Sequence, residues 1–237
     1  MSNTWFQFKQ FTIHQDKSAM KVCTDSCVFG ATVPVKNAQY ILDIGTGTGL
    51  IALMLAQRSS AVIDAVEIDT DAAVQARQNF EASPWKDRIT IHHSSIQDYF
   101  KYTVKNYDCI VCNPPFFFDS MKSGSVAKDM ALHQTYLPIS ELMKAAFFML
   151  KDHGDAYFLI SIYEEERFLK AALDVGFHCR RDTSMYDNPT KLIRYILHMK
   201  KESFLTEAYE KQFIIRNQDG HYSQDFTEAL SDFYLYL

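Results

Sequence analysis

The sequence predicts an α/β fold: a seven-stranded, mostly parallel sheet with helices on both faces and an antiparallel hairpin at its end. Three observations point there. Strand-like and helix-like runs alternate from Tyr40 onward, as they do when helices cover both faces of a sheet. A glycine-rich turn, Gly45-Thr-Gly47-Thr-Gly49, sits directly between the first such strand and its helix. The last two strand-like runs are joined around Asp187, Asn188 and Pro189, too short a link for a parallel crossover.

Taken in order, Tyr40–Ile44 (YILDI) reads as the first buried strand and residues 48–57 as its helix. Residues 61–68 form the second strand and 71–82 the second helix; 89–92 are a short third strand. Tyr107–Cys112 is the fourth strand, ending in Asn-Pro-Pro. Residues 139–150 have helical apolar spacing, and 156–160 form the fifth strand. Ser161 and Glu164 have the S-x-x-E spacing of a capping box, opening a helix to Val175 that Gly176 stops. Residues 177–185 and 192–199 supply the hairpin. Ahead of the sheet, residues 5–13 (WFQFKQFTI) read as a β arm, and 223–237 as a packed helical tail rich in aromatics. The expected organisation is an arm, 1–39, that packs on and closes the active site, followed by a domain, 40–237, with a helical tail.

The chain has 237 residues, 47% hydrophobic and 22% charged, enough for a buried core without disulfides or structural metal. No run approaches the roughly 18 uninterrupted apolar residues of a membrane span, and no cationic start leads into an apolar run. A cytoplasmic protein without membrane attachment is expected. Its five cysteines read as reduced thiols. Cys109 and Cys112 form a CxxC, but on a strand residues three apart face opposite sides, so no metal is expected. A net charge of −5 gives nucleic acid no overall attraction. An RNA partner therefore needs a local basic face, with Lys9, Lys17, Lys21, Lys122 and Lys128 as candidates.

Chemistry concentrates in two places. Asp43, Gly45, Gly47 and Gly49 form a turn that lets a ligand approach the backbone. Glu67 ends the second strand about 20 residues on, where an acidic side chain can take both hydroxyls of a ribose. Leu50 replaces the third glycine of a dinucleotide fingerprint, which disfavours a nicotinamide enzyme. GxGxG with this Glu, and with Asp43 placed to approach a methionine moiety, describes an S-adenosylmethionine site. Asp69 is a second candidate for the ribose, or a helix cap.

The second place is Asn113-Pro114-Pro115-Phe116, at the sheet edge where open α/β folds bind ligands. An exocyclic amine is a poor nucleophile because its lone pair is delocalised into the ring. The Asn113 side-chain oxygen and the Pro114 carbonyl can accept its two N–H groups and aim the lone pair at a methyl sulfonium. Pro115 has no N–H and a fixed φ, which stiffens the loop, and Phe116 can stack on the base. These residues predict methyl transfer to nitrogen. His14 and His133 flank the motifs without an assigned role.

Asp43–Gly49 together with Asn113–Phe116 resembles the amino-methyltransferase superfamily, Rossmann-like class I enzymes whose seven-stranded sheet ends in an antiparallel strand. Phe8-Lys-Gln-Phe11, the run from Met20 to Asp25, Ser83-Pro84-Trp85 and the ending Phe233-Tyr-Leu-Tyr-Leu237 resemble the bacterial tRNA(Val) adenine-37 N6-methyltransferases. That resemblance runs from about Phe6 to the last residue. It implies a monomeric cytosolic enzyme acting on the adenosine beside a tRNA anticodon, with Lys21, Thr24 and Asp25 close to the cofactor. One position departs from the class: Ser95 stands where an acidic residue often accepts the cofactor's adenine amine, with Gln97 and Asp98 behind it. Guanine-N2 methylation of rRNA and glutamine-N5 methylation share the Asn-Pro-Pro-aromatic loop. Only 39 residues precede Tyr40, however, whereas glutamine enzymes usually carry a larger helical amino-terminal domain. The non-enzymatic alternative is an RNA-binding module that has lost catalysis.

Overall fold

A computed structural model describes residues 3–18, 20–114, 137–204 and 210–237. A mixed sheet forms its middle layer. The chain enters through a small antiparallel hairpin, β1 (Trp5–Gln7) and β2 (Thr12–His14), and a helix, α1 (Thr24–Thr32). Then come β3 (Tyr40–Ile44), α2 (Leu50–Arg58), β4 (Val62–Glu67), α3 (Thr70–Glu81), β5 (Ile89–His93), α4 (Ile96–Tyr102) and β6 (Tyr107–Cys112). The next described elements are α5 (Ile139–Met149), β7 (Leu150–Ser161), α6 (Glu165–Val175), β8 (His178–Asn188) and β9 (Lys191–Lys200). The chain finishes with β10 (Lys211–Ile214) and α7 (Gln224–Leu230).

The strand order is β10-β8-β9-β7-β6-β3-β4-β5. β9 runs antiparallel to both β7 and β8, so the expected hairpin forms, while β7, β6, β3, β4 and β5 pair in parallel. The described sheet has eight strands rather than seven. The extra one, β10, adds in parallel to the β8 edge.

Alternation along each strand splits the core into two layers. Ile41, Ala65, Val111 and Leu159 face one cluster, which also takes in α1, α2 and the hairpin's Phe8, Phe11 and Ile13. Leu42, Val66, Ile110 and Phe158 face the other, under α4, α5 and α6. Cys109 lies in the first cluster and Cys112 in the second, so the two thiols diverge. Among the described residues no group of His, Cys, Asp and Glu could hold a metal ion, and no helix is long and apolar enough to cross a membrane.

One local expectation needs correction. Ser161 does not cap a helix: it is still in the β7 ladder, paired with Arg194, and α6 begins only after Glu164. Glu164 N–H donates instead to the Ser161 carbonyl, so a turn separates strand from helix. Strand pairing overrides the local capping signal. The helix's other end behaves as expected: Gly176, at φ 100°, takes the left-handed position that stops α6.

One polar cluster lies inside the second layer. Asp64, only 1% exposed, accepts from Tyr107 Oη at 2.9 Å and Lys105 Nζ at 2.8 Å, and meets His92 Nε2 at 2.7 Å. Burial raises its pKa, but these hydrogen bonds outweigh burial and hold it below the usual carboxylate value. Asp64→Ala should cost about 2–3 kcal/mol in denaturant unfolding, because it removes charge-assisted bonds and leaves the buried Tyr107 hydroxyl with Tyr99 Oη as its remaining partner among the described residues. The stabilisation is present above the unfolded pKa of about 3.9 and is lost as pH falls through the depressed folded value. An unchanged unfolding midpoint at pH 7 would refute this.

Candidate active site

The glycine turn after β3 is held from below. Gly45 and Thr46 N–H both donate to the Val66 carbonyl, at 2.9 and 3.1 Å. Gly49 sits at φ 84°, and a Cβ there would lie 2.4 Å from Phe80 Cε1. Only glycine closes this turn against α3. At Gly45 and Gly47 a Cβ would meet nothing within 4 Å, so the upper side of the turn is open space.

That space belongs to a cavity of about 460 Å³ at the carboxyl edge of β3, β4 and β5. Gly45, Gly47 and Glu67 form its floor. Ser95, Ile96 and Gln97, at the start of α4, form one wall, and Lys17, Ser18 and Met20 form the opposite rim. Asn113, beside Gly45 at the strand ends, and Leu137 also line it. The volume falls within the roughly 300–1,000 Å³ typical of ligand pockets.

Glu67 is 8% exposed. Its Oε2 accepts Gly47 N–H at 2.8 Å and its Oε1 accepts Asp69 N–H at 2.9 Å. These bonds fix the carboxylate while leaving each oxygen further lone pairs for a diol. Asp69 is a helix cap, its Oδ1 accepting Ala72 N–H at 2.8 Å at the start of α3. Ser95 caps α4 in the same way, accepting Asp98 N–H at 3.0 Å and donating to Asp98 Oδ2 at 2.8 Å. Asp98 in turn pairs with Lys101 and is not part of the cavity wall.

Asp43 lies beneath the turn with no solvent exposure, its Oδ2 accepting the Thr46 hydroxyl at 2.6 Å. Burial pushes its carboxyl up to about 7. It does not line the cavity, and neither do Lys21, Thr24 and Asp25. Lys21 Nζ donates to the carbonyls of Gln15 and Ser18, folding the 15–22 segment on itself. Thr24 begins α1, and Asp25 pairs with Arg194 Nε of β9 at 3.0 Å.

Asn113 follows β6 directly and is 7% exposed. Its Nδ2 donates to Ser26 Oγ at 2.8 Å. Its Oδ1 is buried and has no hydrogen-bond partner among the described residues. Leaving a buried acceptor unpaired costs about 1–3 kcal/mol, so this oxygen is a vacant acceptor on a residue that lines the cavity. Pro114 is buried beside it. Pro115 and Phe116, with Lys122, Lys128 and His133, lie outside the described residues.

Sequence reasoning passed over the residues that hold the rim. Asn79, 1% exposed, accepts His14 N–H, returns a bond to the His14 carbonyl and donates to Thr48 O at 2.8 Å. It joins β2, α3 and the glycine turn. Four residues earlier, Gln75 Oε1 accepts Lys17 N–H at 3.0 Å. Their signal was available: two amides one turn apart on a helix face otherwise carrying Ala72, Ala76 and Phe80, where a polar group needs a partner.

The chain matches the methyltransferase small domain over residues 18–161. It is 62% identical over 238 residues to a tRNA1(Val) (adenine(37)-N6)-methyltransferase of Cytophaga hutchinsonii, covering 100% of both chains. It is 42% identical to a protein of the same name from Trichodesmium erythraeum, covering 99% of each. Among solved structures, a predicted O-methyltransferase from Agrobacterium tumefaciens superposes with a TM-score of 0.65 at 14% identity, over 88% of this chain and 96% of that one. At that identity the likeness is one of fold. The sequence relationships go further: the chain belongs to the tRNA1(Val) (adenine(37)-N6)-methyltransferase family.

Proposed function

We propose that the chain binds S-adenosylmethionine in the cavity over the glycine turn and methylates the exocyclic N6 of the adenine beside a tRNA anticodon. The observation that carries this reading is the vacant Asn113 Oδ1, a buried acceptor on a residue that lines a ligand-sized cavity.

The residues present fit the cofactor. The open face of Gly45 and Gly47 admits its backbone-facing edge, and Glu67 retains lone pairs for ribose hydroxyls. Glu67, Asp69 and Asp71 all line the cavity, a negative field that favours a ligand carrying sulfonium and ammonium charges. When bound, the cofactor supplies an electrophilic methyl group. Ser95 keeps one lone pair beyond its capping bonds, so it can accept from an adenine amine, more weakly than a carboxylate would.

The chain's own contribution is orientation. Asn113 Oδ1 takes one N–H of the substrate amine and the Pro114 carbonyl takes the other, which turns the nitrogen lone pair toward the methyl group. No strong base is required, since the nitrogen's proton becomes acidic only after transfer. An adenine in an anticodon loop must leave its stack to reach Asn113, at a cost of a few kcal/mol. Phe116 would stack on the extruded base. Lys21, Thr24 and Asp25 act indirectly, by shaping and seating the 1–39 segment that borders the cofactor. On this reading the chain works as a monomer on cytoplasmic tRNA.

Incubating the protein with labelled S-adenosylmethionine and unmodified tRNA(Val), then digesting to nucleosides, should yield N6-methyladenosine. Label on guanine N2 or on protein glutamine instead would displace the adenine reading.

A further inference from the structure

The vacant acceptor is useful only if the Asn113 amide stays in one orientation. A primary amide is nearly symmetric in shape, and its partners decide which end is oxygen. Turned over, it would present N–H groups to the N–H groups of the substrate. The amide's one described partner is Ser26 Oγ, 2.8 Å from Nδ2.

Ser26 itself is set rigidly. It is 4% exposed in α1, whose next five residues, Cys27 to Ala31, are also buried. Asp25 Oδ2 ties the start of α1 to Arg194 of β9, and Arg58 Nη1 donates to the carbonyls of Gly30 and Val33 at its end, both at 2.9 Å. Ser26 Oγ also lies 2.9 Å from Cys23 Sγ. Either atom of that pair can donate; with the hydroxyl proton directed to the sulfur, the oxygen lone pairs are left for Asn113 and the donors run one way, from Nδ2 to Oγ to Sγ.

We propose that Ser26 is a positioning residue for methyl transfer, its buried hydroxyl oxygen holding Asn113 Nδ2 so that Oδ1 stays the free acceptor of this cavity-lining residue. The proposal rests on the reading of Asn113 given above. It makes α1, from the segment ahead of the sheet, part of the transfer geometry without touching substrate. Residues that only anchor α1 affect transfer through folding; Ser26 affects it through the amide.

The test compares Ser26→Ala, Ser26→Thr and Asn113→Ala in the full-length protein. The readouts are tRNA methylation kinetics, cofactor Kd by calorimetry and the thermal midpoint. Ser26→Ala should lower kcat about tenfold or more, with KM for tRNA and cofactor Kd within about twofold of the parent. Ser26→Thr, which keeps the hydroxyl, should recover at least half of the lost rate. A kcat for Ser26→Ala within twofold of the parent overturns the proposal. So does a loss that follows cofactor Kd or thermal midpoint rather than kcat, or a folded Thr variant as slow as Ala. Asn113→Ala separates the two levels. If it stays active, the reading of Asn113 fails; if it is inactive while Ser26→Ala is normal, only the role of Ser26 fails.

Discussion

Asn113→Ala is expected to slow methyl transfer by on the order of 10²–10³-fold, the scale seen when one preorganised hydrogen-bonding group is removed from a reacting centre. Cofactor affinity should stay within about threefold. The split follows from where the side chain sits. Asn113 lines the cavity from the end of β6, whereas the acceptor proposed for the cofactor's ribose is the Glu67 carboxylate at the end of β4. Removing its amide also releases the buried Ser26 hydroxyl, so a small loss of stability should accompany the loss of rate. Single-turnover rates with saturating tRNA, beside calorimetric titration of S-adenosylmethionine, separate the two effects. An Ala variant with parental rate would remove Oδ1 from the mechanism. One that no longer binds cofactor would mean the residue holds the donor rather than the acceptor.

Much of this geometry was legible because the sheet dictates it. Tyr107–Cys112 reads as a buried strand, and it forms with those bounds. The Asn-Pro-Pro motif therefore falls at the edge the glycine turn also occupies, since β6 pairs directly with β3. The elements that were missed depend on contacts distant in sequence. β10 is four residues, Lys211-Gln-Phe-Ile, with one buried side chain, and exists because β8 offers an edge. The first six residues of β7, Leu150 to Asp155, show no clean apolar alternation, yet they extend the strand past an irregularity opposite β6. α4 could have been read: Ser95 and Asp98 have capping spacing, and the Ser95 hydroxyl does accept Asp98 N–H. At the site, the loop motifs announced themselves, whereas Ser26 is 87 residues from Asn113 and acquires its partner only through the fold.

Asp43 should make the protein less stable as pH rises from about 4 to about 7, and Asp43→Asn should remove that fall. In the folded chain burial lifts the carboxyl to about 7, with nearby Glu67 pushing in the same direction against the bonds from Thr46 and Ala52. In the unfolded chain it titrates near 3.9. Below about pH 4 both states hold the proton and there is no differential cost. Between the two values the folded state keeps a proton that the unfolded state has lost, so each pH unit upward removes about 1.4 kcal/mol of stability. Above about 7 both are ionised and the loss is complete, on the order of 4 kcal/mol in total. Asp64, Asp108 and Asp155 have lowered values and act only on the acid side. Subtracting the Asn variant's denaturation curve from the parent's at each pH therefore isolates residue 43. The difference should reach its plateau above pH 7, with the variant the more stable protein there. A difference that does not change between pH 4 and pH 8 would mean the carboxyl is already ionised in the folded state. The cofactor adds a second reading of the same group: in the proposed binding mode its ammonium would lie over the turn and would stabilise the carboxylate below it. Binding near pH 6 should then release protons, giving a calorimetric heat that varies with the buffer's ionisation enthalpy in the parent and not in Asp43→Asn.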